Sequence, residues 1–555
     1  MPSSRASALG AALTTSPAPQ EAPQGRAAGN ALMVVGSTSG AGKSTLVSAL
    51  CRALARRGLD VAPFKAQNMS NYSAVTPDGG EIGRAQAMQA LAARVETDAR
   101  MGPVLLKPSG ARTSHLVVMG EEVGVQDAIG YGERASRLRP VVLAALQSLR
   151  AEHQVVVLEG AGGAAEINLL DRDLVNLPLA AAAGVPAVLV VDIERGGAFA
   201  AAFGTWALLP QRLRACLRGF VINSFRGDVS LLAEGLRELT ERTGVPVLGV
   251  LPHLGEHLML GVEDSLDLSA PGRPVHGGAD AAQERPVRVA VLRLPHLANP
   301  ADLDPLVLEP SLELRWATRP GDLADADLII LPGSRTTVSD LAWLRERGLG
   351  AAVRDLVAAP DGPHVLGICA GYQMLGDLIE DPDAIESDVD SVRGLGLLPV
   401  RTRFAAPKIV GRTSGTTTHA ASGAVPVEGY QIRWGRPQVM GDSPAAHAWL
   451  ELQPSASTSG SPSYPGGPEG CLSPDGRVRG TSLHGILDND SLRGEFLSEV
   501  AAARHRTFVP SSAPYLEAID AHLDHLADWV ETHLDLDHLL RLASTAAPVQ
   551  EQPGW

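Results

Sequence analysis

The sequence predicts two doubly wound α/β domains in one chain, followed by a helical extension. Three observations predict this. Apolar strand-like runs alternate with helical patterns from Ala31 to about Pro252 and again from Val287, the pattern of parallel sheets covered by helices. Between them, residues 264–286 carry Pro, Gly, Ser, Ala and acids without a period and read as a linker. Each half also has a strand-to-helix turn built from small residues, Gly36–Thr45 in the first and Gly367–Gly376 in the second. Such folds bind ligands beyond the carboxyl ends of their strands. The expected organisation is a tail over 1–30, a first domain over 31–263, the linker, a second domain over 287–500 and a helical extension over 501–555.

The bulk properties narrow the function. The chain has 555 residues, 45% hydrophobic and 20% charged, an ordinary globular composition. A formal charge of −15 lacks the basic balance of a nucleic-acid binder. Cys51, Cys216, Cys369 and Cys471 are far apart with no paired spacing, which suits a reducing cytoplasm rather than a disulfide framework or a zinc site. Residues 1–30, rich in Ala, Pro, Ser and Gln, have no compact apolar core behind a basic start and read as a disordered tail, not a secretory signal. No apolar run reaches membrane-spanning length.

In the first half, the apolar run Ala31–Val35 suits a buried strand and Leu46–Gly58 a helix. The turn between them, Gly36-Ser37-Thr38-Ser39-Gly40-Ala41-Gly42-Lys43-Ser44-Thr45, is a phosphate cradle. Backbone N–H groups and a helix terminus face an anion, Lys43 adds a point charge, and the Ser44 hydroxyl has the place that ligates magnesium. Gly36 lies seven residues before Lys43, and Ser37 occupies the strict glycine position. That longer spacing resembles dethiobiotin synthetase. Nucleotide contacts are therefore expected from Ser37, Thr38, Gly40, Gly42, Lys43, Ser44 and Thr45.

The later strands expected here are Val155–Leu158, Ala187–Val191, Gly219–Ile222 and Pro246–Val250. They end in Glu159, Asp192 and Asn223, which should ring the nucleotide site. Glu159 can hold magnesium opposite Ser44, and Asn223 is a candidate for the adenine edge. The polar block Phe64-Lys65-Ala66-Gln67-Asn68-Met69-Ser70-Asn71, the run Gly80–Gln86 and Lys107 suit a large polar ligand. Lys65, Gln67, Asn68 and Lys107 are the substrate candidates. His253 and His257, four apart, lack a third partner and read as loop histidines.

In the second half, the strands Val287–Leu292, Asp327–Leu331 and His364–Ile368 alternate with helical segments such as Val338–Leu349. The last runs into Gly367-Ile368-Cys369-Ala370-Gly371-Tyr372-Gln373-Met374-Leu375-Gly376, where small residues permit a nucleophile elbow and a helix terminus favours the thiolate. Gly480-Thr481-Ser482-Leu483-His484-Gly485 offers the base. This order, with the Tyr372–Gly376 run, resembles class I glutamine amidotransferases. By that resemblance Leu331–Thr337 supplies one oxyanion N–H at Gly333, Ala370 supplies the other, and Gln373 contacts glutamine. The acid usual two residues after the histidine is replaced by Ile486, and Asp488 is four residues on, so a Cys–His dyad is expected. Residues 405–428 and 441–470, rich in Ser, Thr, Pro and Gly, read as mobile insertions. Tyr515–Leu542 reads as one or two amphipathic helices whose histidines face solvent.

The block Phe64–Asn71, the run Gly80–Gln86, Asp192-Ile193-Glu194-Arg195-Gly196-Gly197 and Phe225-Arg226-Gly227-Asp228 together resemble the cobyric acid synthases, over about residues 31–495. The resemblance implies a P-loop NTPase-like domain followed by a class I glutamine amidotransferase-like domain. It implies ATP- and glutamine-dependent amidation of adenosylcobyrinic acid a,c-diamide at four side chains in cobalamin biosynthesis. ATP and Mg2+ are required and no tightly bound prosthetic group is expected. The partners are L-glutamine, ATP and a corrinoid acid, with no nucleic acid and no membrane. The chain departs from that family at Ser224 (usually Lys), His115 (usually Gln), Gln431 (usually Glu) and Arg433 (usually His). Two rival readings are a related amidase (the a,c-diamide-forming enzyme or a cell-wall lipid amidase) and a partitioning-type switch ATPase with a degenerate glutaminase.

Overall fold

A computed structural model describes residues 29–108, 113–127, 131–255, 285–418, 423–441, 448–455 and 464–547. Nearly all of the expected tail (1–30) and linker (264–286), and His257, lie outside the described residues. The chain divides into two compact units, Met1–Ser70 with Glu81–Leu266 and Asp520–Trp555, and Asn71–Gly80 with Asp267–Ile519. Ten residues within the first expected domain thus group with the second unit.

The elements of the first unit that build its site are β1 (Asn30–Gly36), α1 (Lys43–Arg56), β2 (Val61–Phe64), β3 (Gln67–Met69), α2 (Arg84–Ala93), β4 (Val104–Pro108), β5 (Thr113–Val118), β6 (Glu121–Asp127), β7 (Val155–Glu159), β8 (Ala187–Asp192), β9 (Leu217–Phe225) and β10 (Val247–Pro252). Six strands form a parallel sheet in the order β10-β9-β8-β1-β7-β2. β1, flanked on both sides, is buried from Ala31 to Gly36, as a continuous apolar run requires. The loop after this central strand therefore opens between its neighbours, at the switch point where such sheets bind ligands. A second sheet, β3-β4-β5-β6, carries the polar block, with Asn68 beside Leu105.

The second unit contains β11 (Val287–Leu292), β12 (Leu312–Ala317), β13 (Leu328–Leu331), α3 (Thr337–Glu346), β14 (His364–Ile368), α4 (Ala370–Leu375), β15 (Val400–Thr417), β16 (Pro426–Val439), β17 (Cys471–Leu472) and β18 (Val478–Thr481). Its main sheet runs β12-β11-β13-β14-β18-β17, parallel except for β17. Residues 405–417 and 426–428 are strand, not mobile insertion: β15 and β16 pair antiparallel from Val400↔Val439 to Thr416↔Pro426. Val400, Thr402 and Phe404 point inward while Arg401 and Arg403 are exposed, a period of two that the polar outer face conceals in the composition. Within 441–470, Leu450–Leu452 and Gly467–Glu469 are strands, and 442–447 and 456–463 lie outside the described residues.

The helix α5 (Tyr515–His533), followed by a shorter helix Leu536–Ala543, is held in the first unit by charge from Asp520 onward. Asp520, Asp524 and Asp528 recur every four residues on one helical face. They meet the basic last turns of α1, where Arg52 pairs with Asp520 and Arg56 with Asp528 at 2.7 Å. Cations suit a helix C-terminus, and the Arg52 side chain, fully buried, needs its acid.

Close packing of α4 on the second sheet depends on glycine. A Cβ on Gly371 would overlap the Leu331 carbonyl, and one on Gly480 would overlap the Tyr372 ring. Gly371→Ala should cost about 3 kcal/mol of the second unit's stability, read by chemical denaturation; an unchanged midpoint would contradict this packing.

Candidate active sites

The first candidate site forms where the β1–α1 loop meets the ends of β7 and β9. Gly42 has φ +91 and its missing Cβ leaves room for the Asn223 carboxamide, whose Nδ2 donates to Ala41 O at 2.9 Å. Asn223 thus braces the loop. Lys43 is buried and folds back over Gly36, donating to Thr38 O (3.0 Å), Ser39 O (2.9 Å) and Gly162 O (3.2 Å). Ser37 N donates to Val190 O at 3.0 Å, Thr38 and Gly40 are exposed, and Thr45 is half-buried on α1.

Glu159 is the centre of charge here. It is buried, and its Oε1 accepts from Ser44 Oγ and from Lys65 Nζ, each at 2.8 Å, while Gln89 on α2 donates to Oε2. Burial alone would raise its carboxyl pKa; the Lys65 ammonium and these hydrogen bonds outweigh it and hold the value below the usual range. Ser44 Oγ and the Glu159 carboxylate are adjacent hard oxygens and fit Mg2+ bound mainly through phosphate oxygens and water. Lys65 competes for the same oxygen. Among the described residues no group of three His, Cys, Asp or Glu could hold a metal.

The remaining substrate candidates are buried and paired. Asn68 Nδ2 donates to Gln86 Oε1 at 3.1 Å, Lys107 pairs with Glu81, and Gln67 is 8% exposed on β3. Glu81 belongs to the run Gly80–Gln86 that the sequence marks for a polar ligand, though its pairing with Lys107 is not readable there, and Gln89 lies outside every motif. Their signal was polar residues on apolar faces, visible only once the chain folds.

The second candidate site crowns the second sheet. Cys369 sits between β14 and α4 at φ 51, ψ −109, a strained conformation for a non-glycine residue and that of a nucleophile elbow. His484 follows β18 and lies close enough to Cys369 for the two to interact electrostatically. Its Nδ1 lies 2.7 Å from Asp302 Oδ2, and the other Asp302 oxygen accepts from Gly485 N at 2.9 Å. The expected dyad is corrected to a Cys–His–Asp arrangement, with Asp302 on the histidine. Its acid comes from the turn Pro300–Leu303 that follows β11, 182 residues before the histidine, so no spacing rule around His484 could find it.

The loop Leu331–Thr337 adjoins the same turn. Ala298 N donates to Gly333 O at 3.0 Å, and a Cβ on Gly333 would lie 3.3 Å from His484 Cε1. Ala370 opens α4 behind Cys369, and Gln373 one turn later is buried against β16, where Gly435 leaves it room. The departures Gln431 and Arg433 are both buried and bonded to each other, Arg433 Nε donating to Gln431 Oε1 at 2.7 Å. Arg433 lines a cavity of about 390 Å³ with Tyr372, Tyr464, Glu469 and Ser482.

Electrostatics marks this histidine. Burial would depress the imidazolium, but the Asp302 carboxylate and Cys369 outweigh it and push the His484 pKa up to about 10. Burial pushes the thiols of Cys51 and Cys216 up, and that of Cys471 up to about 12, so these three are inert.

The fold and motifs define a class: a nucleotide-binding unit and a glutamine amidotransferase unit in one chain. Residues 32–256 match the family described as "CobQ/CobB/MinD/ParA nucleotide binding domain" and residues 288–492 that described as "CobB/CobQ-like glutamine amidotransferase domain". The chain is 49% identical over 523 residues to a protein of Nocardia farcinica named "Cobyric acid synthase", covering 93% of this chain and 97% of that one. Proteins of the same name from Frankia casuarinae (48%; 93% and 97% covered) and Streptomyces coelicolor (46%; 93% and 97% covered) are similarly close. The chain belongs to the cobyric acid synthase family and is a glutamine-hydrolysing ligase.

Because its folded pKa is raised, charged His484 stabilises the protein fully below about pH 6.5, and that contribution is lost as pH rises through about 10. Asp302→Asn should lower kcat for glutamine hydrolysis on the order of 10²-fold or more and move the alkaline limb of its pH profile downward. A profile identical to wild type would remove Asp302 from the triad.

Proposed function

We infer that the protein uses ATP and L-glutamine to amidate adenosylcobyrinic acid a,c-diamide at its b, d, e and g side-chain carboxylates, giving cobyric acid in cobalamin biosynthesis. In this reading residues 31–263 form the amidoligase domain and 287–500 the glutaminase. The observation that carries it is a strained Cys369 facing a His484–Asp302 pair in a chain that also has a phosphate loop beside buried Glu159. The names of the relatives support the acceptor.

The chemistry requires both sites. A carboxylate resists amines because oxide is a poor leaving group, and transfer of a phosphoryl group to its oxygen makes phosphate the leaving group instead. Ammonia in water near neutral pH is mostly ammonium, so it must be released where water is excluded. Cys369 thiolate attacks the glutamine side-chain carbonyl. The N–H groups of Gly333 and Ala370 stabilise the oxyanion, and the His484 imidazolium gives its proton to the departing ammonia. His484 then takes a proton from the water that cleaves the thioester, releasing glutamate and restoring the pair. Gln373 orients the glutamine.

In the other domain Lys43 and the backbone of Ser37–Thr45 hold the triphosphate, with Asn223 towards the adenine. The acceptor carboxylate takes the γ-phosphoryl group, ADP leaves, and ammonia displaces phosphate from the acyl phosphate. Ser44 and Glu159 would hold Mg2+, which would supply positive charge to the phosphates. Lys65, Gln67, Asn68 and Lys107 contact the acceptor. The reaction suits the cytoplasm, and among the described residues no helix is long and apolar enough to cross a membrane.

Incubation with ATP, glutamine and the a,c-diamide should give a product mass in which four carboxylates have become amides, one ATP being consumed per amide. Amidation of cobyrinic acid or of a cell-wall lipid instead would favour the related amidases. Cys369→Ala should abolish glutamine-supported product while ammonium chloride still supports it; a Cys369→Ala protein that still uses glutamine would leave the switch-ATPase reading standing.

A further inference from the structure

One residue touches both supports of the catalytic histidine. Ser73, fully buried, belongs to Asn71–Gly80, the ten residues that group with the second unit although both neighbours in sequence group with the first. Its N–H donates to Asn299 Oδ1 at 2.8 Å, and its carbonyl accepts from Tyr430 Oη at 3.2 Å. Two residues on, the Val75 carbonyl accepts from Arg412 Nε at 2.7 Å.

Each partner of Ser73 leads directly to the triad. Asn299 begins the turn that carries Asp302, and Asp302 N donates to Asn299 O at 3.1 Å. Asparagine at a helix start ordinarily caps the helix with its own side chain. Here φ is +49 and no such cap forms, because the side-chain oxygen is turned to Ser73. Tyr430 is bound to His484 three times: its N donates to His484 O (3.1 Å), His484 N donates to Tyr430 O (2.9 Å), and the two rings stack with centroids 5.3 Å apart at 20°. Gly429 beside it has no room for a Cβ, which would overlap His484 O. The peptide of Ser73 therefore spans the gap between the support of the acid and the support of the base.

We propose that Asn71–Gly80 is a strap that holds His484 and Asp302 in register, with Asn299 and Tyr430 as positioning residues, so that glutamine is hydrolysed efficiently only when the strap is seated. The strap continues in sequence from the block Phe64–Asn71, so ordering of that block by the acceptor reaches the glutaminase through the chain itself. The proposal rests on the glutaminase reading of Cys369 and His484 and on that block as the acceptor contact.

The test uses full-length protein. Glutamate release from glutamine is measured with and without ATP plus the a,c-diamide, and ammonium-supported amidation is measured alongside. In wild type, ATP and acceptor should stimulate glutamate release. Tyr430→Phe keeps the stacked ring and removes the hydroxyl's link to Ser73; Arg412→Gln removes the guanidinium link to Val75, away from both His484 and Asp302. Both should lower kcat for glutamate release about fivefold to tenfold, the loss expected from one hydrogen bond, and abolish the stimulation. Asn299→Ala should in addition move the alkaline limb of the glutaminase profile down, which a general loss of folding would not do. Ammonium-supported amidation at the wild-type rate shows that each variant is folded. Wild-type stimulation in both Tyr430→Phe and Arg412→Gln would overturn the proposal, as would wild-type hydrolysis indifferent to ATP and acceptor. Cys369→Ala tests the underlying reading separately, since its failure would appear there and not in the strap variants.

Discussion

The second unit is organised around one contact, the buried His484 ring against the Asp302 carboxylate. A buried imidazolium is stable only beside a compensating anion. Asp302 provides it with one oxygen on the ring and the other on Gly485 N, fixing ring and backbone together. That geometry obliges the turn after β11 to approach the end of β18. The same short segment touches Gly333 through Ala298 and Ser73 through Asn299. Asp302, His484 and the loop at Gly333 are thus parts of one packed cluster.

The first unit solves a similar problem with different groups. Glu159 is buried at the end of β7, and a lysine, a serine hydroxyl and a glutamine amide converge on its two oxygens. In each unit the end of a parallel strand delivers the critical group, Glu159 from β7 and Cys369 from β14, and a glycine-bounded turn lets backbone approach it. A carboxylate surrounded by donors can exchange one positive partner for another, and a histidine clamped by aspartate can pass a proton without losing its orientation. These are the properties that phosphoryl transfer and thioester chemistry respectively need.

Much of this was legible in sequence because it is local. β1, β7, β8, β11 and β14 are apolar runs bounded by small or polar residues, and the phosphate loop and the elbow are contiguous motifs. What the sequence concealed was non-local or disguised. Val61–Phe64 and Leu312–Ala317 are strands too short or too mixed to stand out, and the β15–β16 hairpin hides its inward period behind serine, threonine and arginine. Asp302 looks like any loop acid until the sheet order puts β11 beside β13 and hence near β14 and β18. Similarly, nothing in Tyr72-Ser73-Ala74-Val75 announces that it leaves its neighbours' unit.

Asp302 should hold the His484 ring as an imidazolium. The most direct measurement is a pH titration of its ring by NMR of protein labelled with 15N-histidine, assigned with Asp302→Asn. Both ring nitrogens should stay protonated across neutral pH and titrate at about 10. A midpoint near the ordinary ~6.5 would contradict it.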